Sequence, residues 1–349
     1  MFRNIFLILF GIWGCNSLLA QTDSLSSKDT IPGFAQANME EVVVSGNLRP
    51  MRKMESPVAV EVYDHHFLKK NPVASLFESL QFINGVRTQV NCGICNTGDI
   101  RINGLEGPYT MVTIDGMPIV SGLATVYGLS AIPTQLIERI EVVRGPASTL
   151  YGSEAVGGLI NIITRSPKAA PVFSADVMTT GWKEHQVDLT GALRHKNLHA
   201  LFGLHHFNYG HPVDRNRDGF TDLSLQNRWS FFHKSRWERK PGRIAESSIR
   251  FFTEDRWGGQ MHWTPAFRGS DSVYGESIAT RRWEWIGKYA FSEPLQFSWS
   301  YTGHHQDSYY GNTAFLANQH IAFGQLTWTK KKKPPPLAGR HGGSIHVSG

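Results

Sequence analysis

Leu295-Gln296-Phe297-Ser298-Trp299-Ser300-Tyr301-Thr302 alternates strictly, apolar at odd positions and polar at even ones. Successive side chains of an extended chain point to opposite faces, so this stretch carries one apolar face and one polar face. Trp283-Glu284-Trp285-Ile286-Gly287-Lys288-Tyr289 repeats the pattern more weakly, and Val187-Asp188-Leu189-Thr190-Gly191 keeps the same period of two. Segments of about ten residues with that period, rich in aromatics, suit a transmembrane β-barrel, whose strands meet lipid on one side and a wet lumen on the other. A secreted β-sandwich alternates as well. Two features favour the barrel: interface-type aromatics such as Trp299 and Tyr301 on the apolar face, and short turns interleaved with long polar connections such as His211 to Ser224.

Working outward, the 349 residues leave room for about two domains. Lys and Arg number 35 against 29 Asp and Glu, a net charge of +6, and charged residues are only 18% of the chain. The densest basic run, Lys330 to Lys333, lies at the extreme C-terminus, so nucleic acid is excluded as a partner. No run of about 20 apolar residues occurs, which excludes a helical membrane bundle but not a barrel.

Met1 to Ala20 has Arg3, an apolar run from Ile5 to Trp13 and the small residue Ala20 before Gln21, the pattern of a cleaved signal peptide. Gly11, Gly14 and Asn16 interrupt a stretch already too short for an anchor, and the bulky Ile12-Trp13 disfavours lipidation at Cys15. Residues 21–40 read as a flexible polar leader. Residues 41–165 read as a small mixed α+β domain of short apolar runs and glycine turns, with one helix at Val73 to Leu80 after Asn71-Pro72. Residues 171–329 hold the alternating segments, about eight at roughly ten residues each plus connections.

Cys92 and Cys95 form the pair in Asn91-Cys92-Gly93-Ile94-Cys95. After export, a lone CxxC of this kind is read first as a local disulfide and second as a thiol pair gripping a soft metal. A structural zinc site would need two further ligands, and a thioredoxin-like centre would need a helix where Asn96-Thr97-Gly98-Asp99 is turn-like. Asp214, Asn216, Asp218 and Asp222 stand at relative positions 1, 3, 5 and 9, with Gly219 at 6 and the Phe220 carbonyl at 7, much of a calcium loop. Leu225 at position 12 removes the bidentate Glu, and a bare Asp/Asn turn remains the competing reading. The pairs His65-His66, His205-His206 and His304-His305 are candidates for haem or metal-chelate contact, set against ordinary interface histidines. No nucleophile, base or cofactor loop has credible spacing, so no enzyme activity and no required cofactor are expected.

Three segments of the first domain resemble the plug domain of TonB-dependent outer-membrane receptors. Met111-Val112-Thr113-Ile114-Asp115-Gly116-Met117-Pro118-Ile119 is similar to the family's "V-x-I-D-G-x-P". Leu136-Ile137-Glu138-Arg139-Ile140-Glu141-Val142-Val143-Arg144-Gly145-Pro146 resembles "I-E-R-I-E-V-x-R-G-P". Ser148 to Thr164 resembles "A-L-Y-G-x-x-A-x-G-G-V-I-N-I-I-T". Leu76 to Leu80 followed by Asn84-Gly85-Val86 stands where the family has "L-x-x-L-P-G-V", with asparagine in place of the proline. Asp115 and Gly116 also supply a tight hairpin turn on their own chemistry. The charged face of Glu138 to Arg144 is available to pair with an inner barrel wall.

The resemblance implies an α+β plug domain followed by the first strands of an antiparallel transmembrane β-barrel, in the cell outer membrane. It implies active uptake of a small chelated ligand, first a ferric siderophore or haem, with cobalamin, other metal chelates and oligosaccharides as alternatives. Glu41-Val42-Val43-Val44-Ser45 resembles the TonB box, a segment that would add as a strand to the periplasmic energy-coupling protein TonB, driven by its inner-membrane complex. An ordinary first plug strand is the competing reading. Cys92 and Cys95 fall where family plugs face the ligand vestibule. Rival readings are an exported plug-like binding module and a calcium-dependent adhesin. A plugged transporter of this kind is expected to have about 22 strands. Residues 330–349, with Lys330 to Lys333 and Pro334 to Pro336, read as an irregular tail and suggest a frameshift, so the barrel is expected to be truncated.

Overall fold

The short apolar runs of the first domain become strands in the computed structural model, which describes residues 42–43, 51–94, 96–119, 128–129, 131–146, 151–240, 243–292 and 294–329. Strands β1 (Val42–Val43) and β2 (Met51–Arg52) pair with each other. Next come β3 (Val60–Asp64), helix α1 (His65–Lys70), helix α2 (Leu76–Ser79) and the hairpin β4 (Val86–Cys92) and β5 (Thr97–Ile102). They are followed by β6 (Thr110–Ile114), β7 (Met117–Pro118), β8 (Ile137–Arg144) and β9 (Gly158–Thr164). Five of these form one sheet in the order β3-β8-β9-β6-β7, and only the β6–β9 pair is parallel.

That pair is the buried centre. A parallel pair covered on both faces has no solvent side, so its sequence runs apolar instead of alternating, as in Thr110-Met111-Val112-Thr113-Ile114 and Gly158-Leu159-Ile160-Asn161-Ile162. Val112, Ile114, Ile140, Val142, Ile160 and Ile162 pack there with Leu68, Leu76 and Leu80. Both helices start on side-chain caps. Asp64 accepts from Phe67 N at 2.8 Å, and Ser75 accepts from Glu78 N at 3.3 Å while donating to the Glu78 carboxylate at 3.2 Å. The helix expected over Val73 to Leu80 therefore begins later, at Leu76, because Ser75 is its cap and Ala74 stays outside. Helix α1 was not expected from the sequence.

The second half is one antiparallel meander of eight strands in chain order. It comprises β10 (Phe173–Thr179), β11 (His185–His195), β12 (Leu198–Tyr209) and β13 (Leu225–Lys240). It continues with β14 (Arg243–Gly259), β15 (Gly275–Ser292), β16 (Leu295–Tyr310) and β17 (Thr313–Trp328). Among the described residues β10 and β17 do not pair, so the sheet is open. One end has two-residue connections, 196–197, 241–242 and 293–294; the other carries the longer connections 210–224 and 260–274. The period of two sets the faces as expected. Phe231, Phe251, Trp283 and Phe297 are exposed on the outside, while Arg228, Arg250, Glu254, Arg282 and Glu284 are buried on the inside against the plug. No helix among the described residues is long and apolar enough to cross a membrane.

On the outer face two tryptophans lie across glycines of the neighbouring strand. Gly287 pairs with Trp299 and Gly303 with Trp283. A Cβ at Gly287 would sit 2.0 Å from Trp299 Cζ2, and one at Gly303 would sit 2.3 Å from Trp283 Nε1. Gly287→Val is therefore expected to push Trp299 off its neighbour and cost about 1–3 kcal/mol, read as a lower urea midpoint of the sheet with a changed near-ultraviolet tryptophan signal. An unchanged midpoint would show that the ring does not need the bare backbone.

Candidate functional site

The turn between β6 and β7 is the point where the plug is fastened to the sheet around it. Asp115 has φ 50 and Gly116 φ 78, the left-handed pair that a two-residue hairpin requires. Bending there aims the buried Asp115 carboxylate at the last residue of β9. One oxygen accepts from Thr164 N at 2.9 Å; the other accepts from Thr164 Oγ1 at 2.6 Å and from Lys234 Nζ of β13 at 3.1 Å. Lys234 also donates to Thr164 Oγ1 at 2.7 Å, and Lys288 of β15 donates to the Asp115 main-chain oxygen. Burial pushes the Asp115 carboxyl up, but Lys234, Lys288 and the Thr164 bonds outweigh it and hold the group below its ordinary value.

Behind the turn a polar chain runs into the plug. Asn161 Oδ1 accepts from Thr113 Oγ1 at 2.7 Å and from Gly116 N at 3.0 Å, and Asn161 Nδ2 donates to Glu141 at 3.4 Å. Arg139 completes it with Glu141 at 2.8 Å and Glu138 at 3.0 Å. On the charged face of β8, Glu138 and Glu141 bracket Arg139 within the plug and Glu138 accepts from Ser166 N at 3.2 Å, while the Glu141 charge also acts on Lys288 of the wall.

The segment containing the cysteines is a hairpin whose tip reaches the long-connection end of the sheet. There Ile94 O accepts from Ser224 Oγ at 2.7 Å and Asn96 O accepts from Arg256 Nη1 at 2.7 Å. Cys92 is disulfide-bonded, and its Sγ lies 3.4 Å from Glu276 Oε2. A disulfide sulfur is not a thiolate, so in this state Cys92 does not ligate a metal. Cys95 lies outside the described residues. Below the tip, Arg228, Glu254 and Arg256 form one buried ion chain, with contacts of 2.9 and 2.6 Å. Arg250, Glu284 and Arg282 form a second, at 2.6 and 2.7 Å, and Arg250 Nη1 also donates to Gly128 O of the plug at 3.0 Å.

In the segment Glu41 to Ser45, Val42 and Val43 pair with Arg52 and Met51, and Val43 is buried with Val60, Met111, Val143 and Leu159. Val42 and Val43 therefore lie in a short plug strand, and Glu41, Val44 and Ser45 fall outside the described residues. In the 214–222 loop the Asp214 carboxylate accepts from the backbone N–H groups of Arg217, Asp218 and Gly219, and Asp222 accepts from Arg215 N. Asp218 accepts from Phe220 N at 2.8 Å and from Asn216 Nδ2 at 2.9 Å. These oxygens cap their own turn; no group of three His, Cys, Asp or Glu side chains able to hold a metal occurs among the described residues. Nor do the histidine pairs converge. His205 faces inward on Asp188 at 2.7 Å, whereas His206 faces outward and stacks on Trp229 at 4.0 Å. His304 is buried, and its neighbour His305 bonds Asn318 on the outer face. His65 sits in the plug, where burial and the nearby Arg165 lower it to about 4.

Lys234, Lys288 and Thr164 were not anticipated. For the two lysines the signal is weak in sequence, because a polar residue at an inward position of a barrel strand is the rule.

Residues 52–159 match the family model described as the TonB-dependent Receptor Plug Domain. Over 326 residues the chain is 24% identical to the Vitamin B12 transporter BtuB of Vibrio cholerae, a match covering 81% of this chain and 52% of that one. The chain thus spans about half the length of that curated relative. The siderophore receptor PiuA from Acinetobacter baumannii superposes with a TM-score of 0.57 at 15% identity, covering 81% of this chain and 43% of that one. The ferric-catecholate import receptor Fiu from E. coli K12 gives 0.53 at 13%, covering 79% and 45%. These structures share the fold: a mixed plug sheet fastened inside an antiparallel meander. With the plug motifs in order, the plug model matched and the strands continuing as an open wall, residues 52–159 are a TonB-dependent receptor plug domain, and the eight strands after them share the fold of part of the barrel in such receptors.

Proposed function

We propose that the chain belongs to an outer-membrane receptor that takes up a chelated nutrient actively, with a ferric siderophore or haem as the first substrate class. The observation that carries this reading is the fastening of the plug. A gate must be firm at rest and removable on demand, and here it is held at the wall by polar contacts at Asp115, Thr164, Gly128, Ile94 and Asn96 and by separate small apolar patches, Leu136 against Ala192, Leu201 and Phe232 and Ala74 against Phe207, Tyr209 and Leu225. Polar contacts of this kind exchange with water at modest net cost, unlike a continuous apolar interface. Export through a cleaved signal peptide and energy coupling through TonB belong to the same reading. Strand β1 would leave β2 and pair with TonB, main-chain hydrogen bonds carrying the pull.

Cobalamin is the second reading, favoured by the sequence similarity to a vitamin B12 transporter. The test is uptake of radiolabelled ferric siderophores, haem and cobalamin by cells lacking their own receptors and expressing the complete reading frame, with Val42→Pro beside it. Proline removes a donor from the coupling strand. Expected is uptake of one iron chelate, lost in Val42→Pro while binding persists. Uptake of cobalamin alone selects the second reading, and unimpaired uptake by Val42→Pro removes the coupling role of β1.

A further inference from the structure

The short-connection end of the eight-stranded sheet gathers cations that have no ion-pair partner among the described residues. Lys196 sits in the β11–β12 turn, and Arg239, Lys240 and Arg243 flank the β13–β14 turn, all exposed. The two turns adjoin, since Glu238 N donates to Asn197 O at 2.9 Å and Leu198 faces Trp237 across the strands. Lys240 and Arg243 are direct cross-strand partners. Like charges so placed repel one another, and an anion between them reverses the sign. The acids within reach are already engaged: Glu238 with Arg236 and Lys168, and Glu246 with Arg236. Among the described residues no ion pair involves Lys196, Arg239, Lys240 or Arg243.

What lies next to these cations identifies the anion. Trp237 and Leu198 end the outward apolar face beside these cations, with exposures of 47% and 49%. The Arg239 guanidinium stands 4.9 Å from the centre of the Trp237 ring. An aromatic at the edge of an apolar band, capped by cations, is the arrangement found where acyl chains give way to headgroups. A free anion would satisfy the charges and leave Trp237 and Leu198 uncovered; a lipid covers both.

We propose that this rim is a binding site for the phosphate of an anionic glycerophospholipid, with Lys196, Arg239, Lys240 and Arg243 as donors and Trp237 against the glycerol and upper acyl region. The proposal rests on the membrane reading above, and the experiment separates the two. The full chain in non-ionic detergent is titrated with phosphatidylglycerol, with phosphatidylcholine of identical acyl chains and with inorganic phosphate, and adducts are counted by native mass spectrometry.

Expected is a preference for phosphatidylglycerol over phosphatidylcholine on the order of 10- to 100-fold. That preference should vanish in Arg239→Gln/Lys240→Gln/Arg243→Gln and survive in Lys183→Gln, an exposed cation at the opposite end. Equal binding of the two lipids, or a preference that survives the triple substitution, overturns the site while leaving the membrane reading intact. Full displacement by inorganic phosphate assigns the site to a free anion and overturns the lipid assignment. Binding of neither lipid overturns the membrane reading and this site with it.

Discussion

Asp115→Asn should destabilise the docked plug by about 3–5 kcal/mol, the usual cost of leaving a buried charge without its partner. Asparagine tolerates the left-handed φ of 50 and can still accept from Thr164, so the substitution isolates the charge from the turn geometry. What is lost is the carboxylate that faces Lys234 at 3.1 Å and lies near Lys288. Lys234→Met should cost less, because Lys288 and both Thr164 bonds still support the carboxylate. The double variant should be less damaged than the sum of the two, a coupling of opposite sign to simple addition. Protease protection of the plug against denaturant concentration reads all three. Equal, additive losses would show that the contacts act independently.

The same group sets a pH dependence. Its folded value is depressed, so its contribution is fully present above the unfolded carboxylate value of about 3.9 and disappears as pH falls through the folded value. Wild-type docking should therefore hold down to about pH 4 and fail below it, whereas Asp115→Asn, already weakened, should show no loss from this group in that window.

Periodicity made the second half legible. Leu295 to Thr302 and Val187 to Gly191 fall within strands β16 and β11 with their faces as expected, because a period of two leaves only the choice of which face meets the interior. The plug was legible through motifs, since β6 and β9 are buried on both faces and carry no alternation to read. Helix α1 escaped because its six residues, His65 to Lys70, hold a single buried apolar position, Leu68. The fastening point escaped for another reason. Asp115 is explained well enough by its turn, and only the fold shows that the turn aims its carboxylate across 119 residues of sequence to Lys234. Long-range polar pairs of this kind leave no local signature, whereas the oxygen spacing of 214–222 is legible locally, where Asp214 accepts from the backbone of its own turn.

Glu284→Ala should damage the wall severely, at about 3–5 kcal/mol. Its carboxylate is shared by two buried guanidinium groups, Arg250 at 2.6 and 2.9 Å and Arg282 at 2.7 Å. Removing it leaves two cations side by side in a region closed to water, and neither has another acid within the contacts of the described residues. The damage should reach the plug, because Arg250 also donates to Gly128 O and will move once its carboxylate is gone. Arg282→Met placed on Glu284→Ala should restore part of the loss by deleting one stranded charge, whereas a cavity at residue 284 would be deepened by it. Urea unfolding in detergent, followed by tryptophan fluorescence for the sheet and protease protection for the plug, distinguishes the two. A loss in Glu284→Ala confined to the sheet signal would mean that Arg250 keeps its hold on Gly128 unaided, or that Asp115, the hairpin tip and the apolar patches at Leu136 and Ala74 retain the plug without it.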